Sequence, residues 1–233
     1  MPSNKDFIKE AFHLLYNAFG PQNWWPAESP FEVIVGAILT QNTNWKNVER
    51  AIENLKAKGL LEPFALVNIS EEELASLIRP AGYYNIKAKR LKEFLKVFCE
   101  RWDCSIEKMK STPQEELRKA LLEIKGIGPE TADSILLYAL GRAVFVVDAY
   151  TKRILKRHGV IDGKEDYETI RELFEGSLPR DVTLYNEYHA LIVRVGKTCC
   201  KNKTPLCEEC PLGVLFPQGL KDNVSTAGRA FLS

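Results

Sequence analysis

Apolar residues recur at three- and four-residue spacing along most of this chain, the pattern of helices that each bury one face. The spacing predicts helices over IKEAFHLLYNAF (8–19), FEVIVGAILTQ (31–41), NVERAIENLKA (47–57), EEELASLI (71–78) and IKAKRLKEFLKVFCERW (86–102). It continues through PQEELRKALLEI (113–124), AYTKRILKRHG (149–159), YETIRELFEG (167–176) and EYHALIVRVG (187–196). Ser70 followed by three glutamates, and Thr112 followed by Pro-Gln-Glu, predict side-chain N-caps with acidic first turns. The one run of β character, AVFVVD (143–148), is too short and isolated to build a sheet. The expected fold class is all-α. Helical periodicity stops at Phe216, and residues 217–233 are expected to fray.

Composition narrows the setting without choosing a partner. The 233 residues are 45% hydrophobic, enough for a core of one or two compact units. A formal net charge of +1 means that any basic surface must be local. No apolar run reaches the roughly 18 residues of a transmembrane helix. The opening MPSNKDFIKEAFHLL lacks the apolar centre and cleavage site of a signal peptide, so the cytoplasm, or a nucleoid within it, is the expected compartment. Cys99 and Cys104, within a helical stretch, are expected to be unreactive thiols. Cys199, Cys200, Cys207 and Cys210 crowd into one short segment, which in a reducing compartment suggests a metal site more than disulfides.

Candidate chemistry gathers at three places. In EIKGIGPETADSILL (123–137) two glycines, Gly126 and Gly128, separate one helix from the next. Glycine admits backbone conformations closed to other residues, and free N–H groups at a helix start attract anions such as phosphate. A ligand-free tight connection reads equally well. Twenty residues on, Asp148 opens a helix carrying Lys152, Arg153, Lys156, Arg157 and His158 with no acid among them. An aspartate there is ordinarily an N-cap. Trp24 and Trp25, in QNWWP, offer broad π-faces to a cationic ring or, alternatively, brace the core.

Taken together, LLEIKGIGPETA and VVDAYTKR resemble the helix-hairpin-helix (HhH-GPD) glycosylase superfamily typified by endonuclease III. LTQNT (39–43), GYYNIKAKRL (82–91) and HALIVRVGKTCC (189–200) extend the resemblance over most of the chain. It implies two helical domains with a cleft between them. One is a six-helix domain over 28–142 that contains the hairpin (about 117–137). The other joins 1–27 to 143–216 and ends in a cysteine-rich loop, 200–216. The implied function is base-excision repair of damaged double-stranded DNA by a monomer that flips a lesion and cleaves its N-glycosidic bond.

The resemblance assigns roles residue by residue. Asp148 becomes the catalytic carboxylate. The hairpin (Gly126, Ile127, Gly128, Thr131), with Lys152 and Arg153, would hold DNA, and Gln41 would enter the space left by the flipped base. Trp24, Trp25 and Glu130 would border the base. Glu130 stands where strand-cleaving relatives carry lysine, and a carboxylate cannot form a Schiff base. That departure and the Trp-Trp-Pro segment make the chain most similar to the monofunctional 3-methyladenine branch. A lyase acting through another amine, such as Lys197, and a non-catalytic DNA-binding protein are the alternatives. The family's [4Fe-4S] loop matches at Cys200, Cys207 and Cys210, but its fourth position is Phe216, which cannot ligate. Substitution by Cys199, a three-thiolate cluster and loss of the cluster all remain open.

Overall fold

A computed structural model describes residues 3–22, 24 and 27–216. In chain order its α-helices are α1 (Asn4–Phe19), α2 (Pro30–Leu39), α3 (Trp45–Ala57), α4 (Pro63–Asn68), α5 (Glu71–Leu77), α6 (Tyr84–Trp102), α7 (Ile106–Ser111), α8 (Gln114–Leu122), α9 (Pro129–Ser134), α10 (Ala149–Arg157), α11 (Tyr167–Glu175) and α12 (Val182–Thr198). Short 3-10 turns lie at Arg79–Ala81 and Pro211–Leu215, and a π-helical turn, Ile135–Ala139, extends α9. Among the described residues there is no strand, and no helix is long and apolar enough to cross a membrane. The chain folds as two compact units, one of Trp25–Arg142 and one of Met1–Trp24 with Ala143–Ser233.

The first unit is built around α2, whose residues from Phe31 to Leu39 are all buried. A helix apolar on every side belongs at the centre of a bundle. Its one acid, Glu32, accepts the Glu28 N–H at 3.0 Å and pairs with Lys56 Nζ at 3.0 Å. Buried Lys87 donates from Nζ to the Ala81 carbonyl at 2.8 Å, and burial lowers its pKa to about 8. Ser70 caps α5 as predicted, accepting the Glu73 N–H at 3.0 Å. Thr112 does not cap α8. Pro113 occupies the cap position, and the Thr112 hydroxyl instead accepts the Trp102 indole N–H at 2.9 Å.

Cys99 and Cys104 also depart from expectation, because they are joined in a disulfide with Cα atoms 4.1 Å apart. Asp103 and Cys104 both have left-handed backbone, φ 50° and 56°, which folds the chain back over the last turn of α6. That reversal brings together two thiols that a continuing helix would hold apart.

In the second unit the extended run 143–148 has no sheet partner, and side chains take its amides. Phe145 N–H donates to Glu175 Oε1 at 2.9 Å and Val147 N–H to the Tyr167 hydroxyl at 3.3 Å. The core packs Phe145 on Phe174 with ring centroids 4.0 Å apart, beside fully buried Tyr188. The Tyr188 hydroxyl donates to the Ile8 carbonyl at 2.7 Å and so ties α12 to α1. Residues 217–233 lie outside the described residues.

Candidate active site

The hairpin is held from both sides. Arg118 on α8 makes a bidentate pair with Asp133 on α9, Nε to Oδ1 at 2.7 Å and a terminal nitrogen to Oδ2 at 3.0 Å, and Asp133 is wholly buried. Buried Ile127 anchors the turn in the core, and its N–H donates to the Ile124 carbonyl at 3.0 Å. Only one of the two glycines is required by the chain's own geometry. Gly126 has φ +94°, and a Cβ there would lie 2.4 Å from Arg90 Cγ. Gly128 is the extended N-cap of α9, φ −94°, with open space where a Cβ would point. Among the described residues neither glycine's N–H meets an acceptor.

Gln41, expected to reach toward DNA, braces this turn. Its side-chain amide donates to the Gly126 carbonyl at 3.2 Å and to the buried Thr131 hydroxyl at 2.9 Å, and its oxygen accepts a hydrogen bond from Arg90. Glu130 is exposed in the first turn of α9, where an acid complements the helix dipole. Lys125 is exposed one residue before Gly126.

In the other unit Asp148 caps α10. Its Oδ1 accepts the Thr151 N–H at 2.7 Å and the Thr151 hydroxyl at 2.9 Å, a capping box. Its Oδ2 faces His189 Nε2 at 3.6 Å. Burial pushes this carboxyl's pKa up. The neighbouring His189 and the Thr151 hydrogen bonds push harder in the other direction, so the net shift is downward and the group is a carboxylate at neutral pH. Trp24 lies with Lys197, whose Nζ is 5.7 Å from the indole centroid. Trp25 lies outside the described residues.

The two candidate cations of α10 diverge. Lys152 is exposed. Arg153 turns inward, donating to the carbonyls of Cys200 at 2.9 Å and Gly196 at 3.0 Å and stacking over Tyr150. Arg157 likewise donates to the Cys200 sulfur at 3.1 Å and to the carbonyls of Lys201 and Asn202 at 2.7 and 2.8 Å. Cys199, Cys200, Cys207 and Cys210 are free thiols, and burial pushes the Cys210 thiol up to about 12. Phe216, at the family's fourth ligand position, stacks on His158 at 4.3 Å. Among the described residues no three His, Cys, Asp or Glu side chains are placed to hold a metal ion. The residues present do not fit a four-thiolate cluster; guanidinium groups and an aromatic stack fasten this loop instead.

The family model described as "HhH-GPD superfamily base excision DNA repair protein" matches residues 35–180, a span that contains both the hairpin and Asp148. The chain belongs to the HhH-GPD superfamily. It is similar to a Methanocaldococcus jannaschii protein provisionally named a DNA repair glycosylase, 54% identical over 215 residues that cover 91% of this chain and 97% of the relative. Among solved structures it is similar to H. pylori 3-methyladenine DNA glycosylase bound to 1,N6-ethenoadenine, with TM-score 0.70, 32% identity and coverage of 84% and 98% of the two chains. Its fold is also similar to that of endonuclease III in a non-covalent DNA complex, with TM-score 0.80, 22% identity and coverage of 95% and 99%. This HhH-GPD protein is a DNA repair glycosylase.

Three long-range pairings in these arrangements could not be read from the sequence, although Arg157 itself stood among the basic residues of its helix. His189, Arg90 and Arg157 act across 41, 36 and 43 positions respectively, on Asp148, Gly126 and Cys200. The one local signal was His189 itself, a titratable side chain inside the apolar run YHALIV.

Proposed function

We propose that the chain is a monofunctional DNA N-glycosylase that flips a damaged base, hydrolyses its N-glycosidic bond with water and leaves an abasic site. The observation that carries this reading is the buried, ionised Asp148 carboxylate, combined with the absence of a lysine at position 130. Cleavage of the bond develops positive charge on the sugar, and a carboxylate held out of bulk water stabilises that charge and orients the attacking water. Strand cleavage requires an amine to form a Schiff base, and Glu130 supplies none. The Gly126 and Gly128 amides, which meet no acceptor among the described residues, suit a DNA phosphate, a contact that positions the duplex without reading its sequence. The open space over Gly128 gives a phosphate room to approach.

An alkylated purine is the proposed lesion class. The Trp24 ring already carries a cation, Lys197, and the same attraction draws the positive charge of an alkylpurine ring to an indole face. Similarity to the H. pylori enzyme with its bound ethenoadenine supports an adenine-type base.

The test uses duplexes that each bear one defined lesion, incubated with and without alkali and with borohydride. Base release with strand breakage only after alkali is expected, strongest for 3-methyladenine. A borohydride-trapped covalent complex would refute the monofunctional assignment and bring Lys197 forward as the amine. Release confined to oxidised pyrimidines would refute the lesion class. Asp148→Asn keeps a good N-cap, so it is expected to fold normally and lose release by about 100-fold or more.

A further inference from the structure

The two oxygens of Asp148 have different neighbours. Oδ1 is committed to the start of α10, accepting both the N–H and the hydroxyl of Thr151. Oδ2 takes no part in the cap and looks toward α12, where His189 Nε2 stands 3.6 Å away. Both residues are nearly inaccessible, at 8% and 6% exposure. The spacing is longer than an ordinary hydrogen bond, and among the described residues no other donor takes Oδ2.

We propose that His189 is a positioning residue for the glycosylase reaction: it steers the Oδ2 edge of Asp148 and keeps that oxygen ionised, while Oδ1 anchors the helix. The inference rests on the reading of Asp148 as the group that meets the substrate. A buried carboxylate tends to take up a proton and become useless for stabilising positive charge. The capping bonds oppose that tendency through Oδ1. The imidazole opposes it at Oδ2, where its presence favours the charged form of the carboxyl.

Other ionisable groups on the surrounding elements are directed elsewhere. On α10, Lys152 is exposed and Arg153 is turned to the Gly196 and Cys200 carbonyls. On α11, the Tyr167 hydroxyl accepts the Val147 N–H, and Arg171 pairs with Glu168 and Glu175. On α12, Tyr188 is hydrogen-bonded to Ile8 and Arg194 to Phe19 and Gln22. His158, after α10, lies between Phe7 and Phe216. Among the described residues, His189 is therefore the ionisable side chain that faces Oδ2.

Two measurements test the proposal on the full chain. The first is single-turnover base release as a function of pH for wild type and His189→Gln. The acid limb is expected to move to higher pH by about one to three units in the variant, the usual reach of a neighbouring charge. A uniform loss of rate with the limb unmoved would mean that His189 is only structural, and would overturn the proposal. The second is NMR titration of the His189 imidazole in wild type and in Asp148→Asn. Coupling is reciprocal, so the midpoint is expected to fall when the carboxylate is neutralised. An unchanged midpoint would overturn the proposal even if His189→Gln fails to fold. This second measurement needs no activity. Retained base release by Asp148→Asn would remove the catalytic reading of Asp148, a result distinct from the loss of coupling.

Discussion

Replacing Gly126 by alanine should damage the hairpin twice, and the two losses can be separated. At φ +94° an alanine is held in a region that L-residues rarely adopt, which costs roughly 1–3 kcal/mol. Its Cβ would also sit 2.4 Å from Arg90 Cγ and 2.9 Å from Arg90 Cδ. The arginine must then swing away from Gln41, losing a charge-assisted hydrogen bond of about 1.5–3 kcal/mol. Together the loss is roughly 2.5–6 kcal/mol, a large share of the 5–15 kcal/mol typical of a folded domain. The assay is urea unfolding at constant m, with Arg90→Ala and the double variant completing a cycle. On the Arg90→Ala background only the backbone portion should remain. Gly128→Ala is the internal control, expected to change stability by less than about 0.5 kcal/mol and to weaken DNA binding instead, because its Cβ points into open space. A Gly126→Ala loss below about 1 kcal/mol, or one unaffected by removing Arg90, would refute the argument.

Arg118→Ala leaves the buried Asp133 without its bidentate arginine and should cost roughly 3–5 kcal/mol in the same unfolding assay, with partial recovery when Asp133 is made leucine in the same chain. Burial, helped by the Arg157 charge, lowers the pKa of His158 from 6.5 to about 4. Between those values the unfolded chain binds more protons, so stability should fall as pH drops through the window, and His158→Phe should flatten that slope in pH-dependent melting. Protein purified anaerobically should lack the brown iron–sulfur band. Arg157→Ala should let Cys200 react with a thiol reagent about ten-fold faster, the mark of ~1.4 kcal/mol of lost local stability; iron-loaded brown protein would overturn the metal-free account of the loop.

The all-helical architecture was legible because its long helices bury regular stripes, whereas the burial of α2 on every side emerged only from its packing. Asp148 could be singled out as a candidate, and its cap read correctly, because it joins a sharp local signal, an N-cap residue before a basic helix, to its distance from the hairpin. The short helices α4 and α7 passed unnoticed, since six residues make fewer than two turns and periodicity needs more. Thr112 misled for a reason of competition: a buried indole N–H claimed the hydroxyl that would have capped α8. The Cys99–Cys104 bond depends on two consecutive left-handed residues, neither of them glycine, which no pattern of hydrophobicity announces. Long-range partners such as His189 and Arg90 become visible only when distant helices have packed.

The inward turn of Arg153 and Arg157 has a consequence for how this protein would respond to salt. A cation that neutralises a DNA phosphate releases a condensed counterion, and each such contact steepens the fall of affinity with ionic strength. Guanidinium groups already engaged by the carbonyls of Gly196, Cys200, Lys201 and Asn202 release nothing when a duplex arrives. On the proposed mode of binding, the basic sequence of α10 overstates the electrolyte dependence, which would fall to the exposed Lys152 and Lys156 while the neutral hairpin amides release no counterion. A repair protein gripping DNA this way would hold its duplex through dipoles more than through ion exchange, and its affinity would survive concentrated salt better than its run of lysines and arginines suggests.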